Sequence, residues 1–135
     1  MKKSKNPNEW ILYAESDLAV AAGGRLSKKI LYETLCFHCQ QSVEKALKAL
    51  LVFYGTNFPK THDIEFLLKL LKQNHIAIPK QVDKSKVLSL YAVISRYPGD
   101  EMEVNAKEYK VALQLSSTVL KWAKSIIENK HDKLF

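Results

Sequence analysis

The feature that most constrains the fold is a stretch without glycine or proline from about Lys29 to Tyr54. Its apolar residues recur every three or four positions, which places them on one face of an α-helix; they are Cys36, Cys39, Val43, Ala46 or Leu47, Leu50 and Phe53. A polar stripe runs beside them, formed by Thr34, His38, Gln41, Lys45 and Lys48. Because Gly55 follows as a stop signal, the stretch predicts one long amphipathic helix that forms the spine of the fold.

The rest of the chain also favours a few long helices. Glycine and proline together number 8 of 135 residues, well below the usual share of about 12%, whereas all-β folds need a turn about every ten residues. Four more helices are predicted, namely from Asn6 to Gly23, from Thr61 or Asp63 onward, from about Asp83 to Ser95, and from Asn105 to about Glu128. Short connections place successive helices antiparallel. We therefore expect an all-α, up-and-down antiparallel bundle of about five helices.

The last predicted helix carries two apolar stripes. One consists of Ala106, Tyr109, Leu113, Ser116, Leu120, Ala123 and Ile127. The other consists of Val111, Leu115, Val119 or Thr118, Trp122 and Ile126. Since a single core needs only one stripe, this helix is either central in its own bundle or also packed against a second subunit. Both readings stay open, and we favour a homodimer.

The length suits a single domain over residues 1–135, with flexible tails expected at about 1–6 and 130–135. No apolar run reaches the roughly 18 residues of a membrane helix, and no apolar segment follows the N-terminal lysines as in a signal peptide. Two cysteines do not make a disulfide framework. We expect a cytoplasmic protein that does not enter a membrane.

The net charge of +7 comes from 21 basic residues, of which only Arg25 and Arg96 are arginine. The lysines are scattered, whereas nucleic-acid-binding domains show clustered basic residues. The pattern is typical of solubilising lysines on helix surfaces. At most it supports a weak, salt-sensitive attraction to polyanions.

The segment Cys36-Phe37-His38-Cys39 looks at first like a metal or redox motif. A zinc site needs a second ligand pair at a suitable spacing, and these are the only two cysteines in the chain. Both also fall on the apolar stripe, where a cysteine serves as a small hydrophobic residue. We therefore expect no metal and no cofactor.

Two polar segments leave alternatives open. Gln40-Gln41 with Glu44 and Lys45 either lines a cleft between helices or faces water. His62-Asp63 is either an acid–base pair or a helix cap with a polar contact, which is the commoner role at a helix start.

Arg96 stands out in a chain that otherwise uses lysine. A position that requires arginine usually uses its planar, five-donor guanidinium, and Tyr97-Pro98 follows directly. Arg96 could bind a phosphate, pair with an acid among residues 100–103, or bond the last carbonyls of a helix. The residues alone do not decide between these roles.

Segments spread over nearly the whole chain match one known pattern. They are Trp10, Ala14 and Asp17-Leu18; Cys36 to Ala49; Thr61-His62-Asp63-Ile64 with Leu67-Leu68; and Tyr91 with Arg96-Tyr97-Pro98. Together they resemble the HEPN family of small helical, nucleotide-binding domains, which is similar to the C-terminal domain of kanamycin nucleotidyltransferase.

The resemblance implies a dimer that pairs with a separate minimal nucleotidyltransferase. In that arrangement the partner holds the catalytic carboxylates, and the HEPN protein supplies a surface for ATP, another nucleotide or the phosphate of a substrate. The residues implied in nucleotide or phosphate binding are Arg96 and Tyr97, followed by Lys45, Lys48, His62 and Gln41.

Other HEPN proteins are metal-independent ribonuclease toxins of toxin–antitoxin pairs, in which a histidine follows the motif arginine by a few residues. Here Arg96 aligns with that arginine, but positions 101–103 are Glu, Met and Glu, and the next histidine is His131. Acids at that place repel an RNA backbone. The resemblance therefore favours the accessory protein, and the alternative is a ribonuclease in which His62 or His38 replaces the missing histidine.

Overall fold

The computed structural model describes residues 3–94 and 103–132, and all regular structure in these ranges is helical. In chain order the elements are α1 (Pro7–Ala22), α2 (Tyr32–Phe53), α3 (Ile64–Gln73), α4 (Lys80–Asp83), a 3₁₀ helix (Lys84–Leu90), α5 (Tyr91–Ile94) and α6 (Ala106–Asp132). Helix α2 packs against α1, α3, α5 and α6. The prediction of an all-α bundle with α2 as its spine is confirmed.

Three helices begin at the polar residues that the sequence offers as caps. The Asn6 side chain accepts a hydrogen bond from the backbone amide of Asn8, at 2.9 Å. Before α3, Asp63 Oδ1 accepts from the amide of Phe66, at 3.2 Å, and before α6, Asn105 Oδ1 accepts from Glu108, at 2.8 Å. Each cap satisfies an amide that has no partner within its own helix.

The predicted fourth helix differs most from the structure. It begins earlier, at Lys80, and passes into a 3₁₀ helix at Lys84. This 3₁₀ helix makes a tertiary contact, because the hydroxyl of Ser89 accepts a hydrogen bond from the amide of Ile64, at 2.9 Å, and so serves the start of α3. The predicted end at Ser95 lies outside the described residues.

Helix α2 is covered on more sides than one apolar stripe would need. Thirteen of its 22 residues are buried, and they include the polar Gln40, Glu44 and Lys48. Of the predicted polar stripe, only Lys48 is buried, whereas Thr34 is exposed and His38, Gln41 and Lys45 are partly covered. The three buried polar side chains must find partners within the fold, because a buried polar group without a hydrogen bond is costly.

Helix α6 draws its buried residues from both predicted stripes. They are Leu115, Ser116, Val119, Leu120, Ala123 and Ile127, while Trp122 and Ile126 are half-buried against the same core. Ala112, which lies in neither stripe, is buried as well. Apart from the exposed Ala106 and Val111, the two stripes thus form one wide face toward α1, α2 and the 3₁₀ helix. Packing within its own bundle accounts for this helix, so α6 by itself does not require a second subunit.

Candidate functional site

Asp17 on α1 joins two side chains of α2. Its Oδ1 lies 2.9 Å from His38 Nδ1, and its Oδ2 lies 2.6 Å from Lys45 Nζ. We call these three residues the Asp17 cluster. Asp17 is mostly covered, whereas the side chains of His38 and Lys45 remain 29% and 26% exposed. The cluster therefore lies at the surface edge of the contact between α1 and α2.

Glu44, one helical turn before Lys48, is the centre of a second cluster. Its Oε1 accepts a hydrogen bond from Lys48 Nζ at 2.7 Å, and its Oε2 lies 2.7 Å from Gln40 Nε2 and 3.0 Å from His62 Nδ1. We call Gln40, Glu44, Lys48 and His62 the Glu44 cluster. Lys48 also donates to the carbonyl of Thr61 at 3.2 Å. The Glu44 cluster therefore ties the middle of α2 to the chain just before α3.

An aromatic pair shields the Glu44 cluster. Lys48 Nζ lies 5.9 Å from the ring centroid of Trp10 and 5.7 Å from that of Phe58, and these two rings meet edge to face. Residues before α1 cover the pair, because Trp10 Nε1 donates to the carbonyl of Ser4 and Lys3 Nζ donates to that of Phe58. Such apolar surroundings strengthen an ion pair by excluding water.

The two clusters share one plan. In each, one carboxylate oxygen accepts from a lysine and the other binds Nδ1 of a histidine. A carboxylate offers only acceptor atoms, so each imidazole donates a hydrogen from Nδ1. The clusters differ in burial, because the Lys48 and Glu44 side chains are only 10% and 5% exposed.

The structure brings four of the predicted binding residues into or beside these clusters. Lys48 and His62 belong to the Glu44 cluster, Gln41 Nε2 donates to Gln40 Oε1 at 2.7 Å, and Lys45 belongs to the Asp17 cluster. Arg96 and Tyr97 lie outside the described residues. Within the described part, the predicted set is therefore divided between two internal networks.

The open alternatives in the polar segments are now decided. Gln40 and Glu44 are buried between helices, whereas the Lys45 side chain is partly exposed beside a groove. His62 contacts Glu44, while Asp63 caps α3, so the two do not form an acid–base pair. The linking role of Asp17 was missed, although its spacing from Ala14 and Ala21 places a carboxylate on the inward face of α1.

An open groove of about 550 Å³ adjoins the Asp17 cluster. It is lined by Leu12, Tyr13, Glu15, Ser16, Asp17 and Lys45. It offers an aromatic ring, a hydroxyl, an ammonium group and two carboxylates on one side of α1. A small polar molecule could therefore approach Lys45 from this side.

Both cysteines are buried, as their place on the apolar stripe predicts. Burial raises the pKa of the Cys36 thiol to about 12 and that of the Cys39 thiol to about 11. Thiols with such pKa values are protonated near neutral pH and are poor nucleophiles. In residues 3–94 and 103–132, no group of three or more His, Cys, Asp or Glu side chains could hold a metal ion.

In residues 3–94 and 103–132, no helix has both the length and the apolar character that a transmembrane span requires.

Fold and clusters together define a small all-helical domain with charged side chains tied between α1 and α2. Residues 7–126 match the family model of the HEPN domain. The chain therefore belongs to the HEPN family.

Two solved structures are similar to the chain over nearly their whole length. ST0689, an archaeal HEPN homologue, is 29% identical with a TM-score of 0.70, and the match covers 94% of this chain and 99% of that one. TT1696 from Thermus thermophilus is 28% identical with a TM-score of 0.75, and the match covers 90% and 98%. Comparison with curated proteins gave no significant match.

The Glu44 cluster makes a first prediction about stability. Replacing Lys48 by Met leaves the buried Glu44 carboxylate without its cation, and breaking a buried pair in this way costs about 3–5 kcal/mol. We expect urea denaturation to show a loss of that order in Lys48→Met. The double variant Glu44→Gln/Lys48→Met should lose less than the two single variants combined.

The exposed pair of Lys72 and Asp83, whose atoms lie 3.4 Å apart, is the matched control. Surface pairs contribute about 1 kcal/mol or less, so Lys72→Met should change stability little. Equal losses in Lys48→Met and Lys72→Met would show that the Glu44 cluster does not stabilise the fold.

The cysteines make a second prediction. Because the pKa values of Cys36 and Cys39 are raised to about 12 and 11, their thiolate fraction is very small below those values and grows as the pH rises toward them. We expect iodoacetamide at mildly alkaline pH to alkylate the folded protein about 100-fold more slowly than the urea-unfolded protein. Cys39 should react before Cys36 as the pH increases. Rapid alkylation of the folded protein would contradict the burial of these thiols.

Proposed function

We propose that this HEPN-family chain is a cytoplasmic accessory protein that dimerises, pairs with a minimal nucleotidyltransferase and binds a nucleotide phosphate. The observation that carries the proposal is the pairing of charged side chains with one another inside the fold. Lys45 pairs with Asp17, while Lys48 and His62 pair with Glu44. These charged groups hold α1, α2 and α3 together. We therefore assign the catalytic carboxylates to the nucleotidyltransferase partner.

For the phosphate we propose Arg96 as the principal ligand, with Tyr97 beside it. Its planar donors suit a phosphate, and the family resemblance assigns it this role. Lys45, His62 and Gln41 are the secondary candidates, since the first two are partly exposed. Lys48 is the weakest candidate because a phosphate would have to compete with Glu44 for its ammonium group.

The outer face of α1 supports dimerisation. Leu12, Tyr13 and Val20 on this helix are 61%, 63% and 49% exposed, and exposed apolar patches commonly mark protein interfaces. Within residues 7–22 there are three acids and no lysine or arginine, whereas the rest of the chain holds all 21 basic residues and 11 of the 14 acids. We therefore propose a second copy of the chain as the occupant, because its basic surface complements this acidic, apolar face.

Nucleotide binding gives a third prediction. A ligand that binds only the folded state stabilises it by about 2.7 kcal/mol at 100 times its Kd. We expect millimolar ATP to raise the melting temperature of the wild type and to have no effect on Arg96→Ala. An unchanged melting curve of the wild type would contradict nucleotide binding.

Arg25, the other arginine, is the control. Its guanidinium donates to the carbonyls of Ile30 and Lys28, at 2.6 and 2.9 Å, and holds the loop between α1 and α2. Arg25→Ala should lower the melting temperature and keep the shift with ATP.

A parallel incubation with single-stranded RNA in EDTA tests the accessory role itself. We expect no cleavage. Cleavage by the wild type that is lost in Arg96→Ala would replace the accessory function by the ribonuclease alternative, with His62 or His38 as its acid–base group.

The dimer gives a fourth prediction. Loss of well-packed interface residues costs about 2 kcal/mol or more each, which weakens a dimer about 30-fold. We expect light scattering to show a dimer for the wild type and a monomer for Leu12→Lys/Val20→Lys. Leu26, which is 88% exposed in the loop after α1, supplies the control Leu26→Lys, which should remain a dimer. A monomeric wild type, or a dimeric double variant, would contradict this interface.

A further inference from the structure

The imidazole of His38 is held in one orientation with one nitrogen free. Its Nδ1 lies 2.9 Å from Asp17 Oδ1, and the carboxylate can only accept, so Nδ1 carries the hydrogen. No other polar atom of the described residues bonds to His38, and no side-chain nitrogen there is both buried and without a partner. Nε2 is therefore accessible to solvent, and in the neutral imidazole it carries the lone pair.

A histidine held in this way is a nucleophile as well as a base. When Nε2 attacks an electrophile the ring becomes positively charged, and the Asp17 carboxylate on Nδ1 stabilises that charge, as an aspartate does behind a catalytic histidine. Lys45 Nζ is bound to the other oxygen of Asp17 and is 26% exposed. It can turn toward an anion that arrives at Nε2.

We propose that His38 is a phosphoryl-acceptor site, at which Nε2 takes a phosphoryl group from a small donor with a labile phosphorus bond. The donor class is a phosphoramidate or an acyl phosphate. Lys45 offsets the negative charge of the incoming group. His38 is not among the proposed nucleotide ligands, although Lys45 is one of the secondary candidates for that role.

The step balances without a further reactant. The Nε2 lone pair forms a bond to phosphorus while the bond from phosphorus to the leaving group breaks. Phosphoramidate, which reacts with its nitrogen protonated, releases ammonia, and an acyl phosphate releases a carboxylate. The hydrogen on Nδ1 stays in place, hydrogen-bonded to Asp17, and nothing is oxidised or reduced.

Two other histidines act as internal controls. His62 also binds a carboxylate through Nδ1, but the lysine on that carboxylate is 10% exposed and also bonded to the Thr61 carbonyl, so it cannot turn toward a phosphoryl group. His75 is exposed in the loop after α3 and no carboxylate of the described residues orients it. If exposure alone determined reactivity, His62 and His75 would be phosphorylated before His38. The carboxylate and the partly exposed lysine beside His38 instead favour phosphorylation at His38.

The experiment is phosphorylation of the full chain with potassium phosphoramidate and, in a separate arm, acetyl phosphate. Tandem mass spectrometry under alkaline conditions locates the adduct, and phosphorus NMR shows that it is bonded to nitrogen. We expect an adduct at His38 at a rate about tenfold or more above those at His62 and His75. His38→Gln should abolish it, and His62→Gln should keep it.

Asp17→Asn tests the positioning residue. The amide oxygen can still accept from Nδ1, but the negative charge is gone, so we expect the rate at His38 to fall about tenfold. Nitrogen NMR of the imidazole should show the hydrogen on Nδ1 in the wild type, a readout that a purely structural role of Asp17 would not require. A melting curve near that of the wild type verifies that the variant is folded.

Three results would overturn the proposal. They are an absence of adduct in both arms, equal labelling of all exposed histidines, and an unchanged rate in a folded Asp17→Asn variant. Reaction with only one of the two donors would narrow the donor class and would keep His38 as the acceptor.

Discussion

The buried carboxylate of Glu44 is the constraint on which the arrangement of helices depends. Neighbouring elements enclose the middle of α2, so the polar Gln40, Glu44 and Lys48 are buried there. Glu44 accepts from Gln40 and Lys48 and contacts His62, and Lys48 reaches the Thr61 carbonyl. Because an unpaired charge at this depth would be costly, these bonds fix how the start of α3 lies against the middle of α2.

Helix α1 is held to the bundle by polar contacts as well as by apolar packing. Ser42 Oγ donates to the carbonyl of Ala14 at 2.8 Å, and the Tyr109 hydroxyl donates to that of Ala21 at 2.6 Å. With Asp17 they tie the inner side of α1 to α2 and α6. Since this inner side already holds the helix in place, the apolar residues on its outer side are not needed for the fold of one chain.

The sequence predicts the features of this fold that depend on near neighbours in the chain. Asn6, Asp63 and Asn105 each accept a hydrogen bond from a backbone amide two or three residues later. The sequence alone therefore predicts where these helices start. The hydrogen bond from the amide of Ile64 to the hydroxyl of Ser89 is not predictable in this way, because the two residues are distant in sequence. A local pattern carries no information about that contact.

The candidate site shows the same limit. The helical periodicity places Gln41, Lys45 and Lys48 on one side of α2. It does not show how many sides of α2 are covered by neighbouring helices. The internal pairing of Lys45 and Lys48 therefore needed the structure, and so did the role of Asp17. For Arg96 and Tyr97, which lie outside the described residues, the assignment rests on guanidinium chemistry and on family resemblance.

Burial separates the roles of two clusters built on the same plan. Around Glu44, the lysine has three contacts that leave it no freedom: the carboxylate, the Thr61 carbonyl and the aromatic rings of Trp10 and Phe58. Around Asp17, Lys45 stands at an open groove and has only the carboxylate as its partner among the described residues. The same three functional groups therefore stabilise the fold where water is excluded, and at the surface they leave an oriented imidazole and a movable cation available for chemistry.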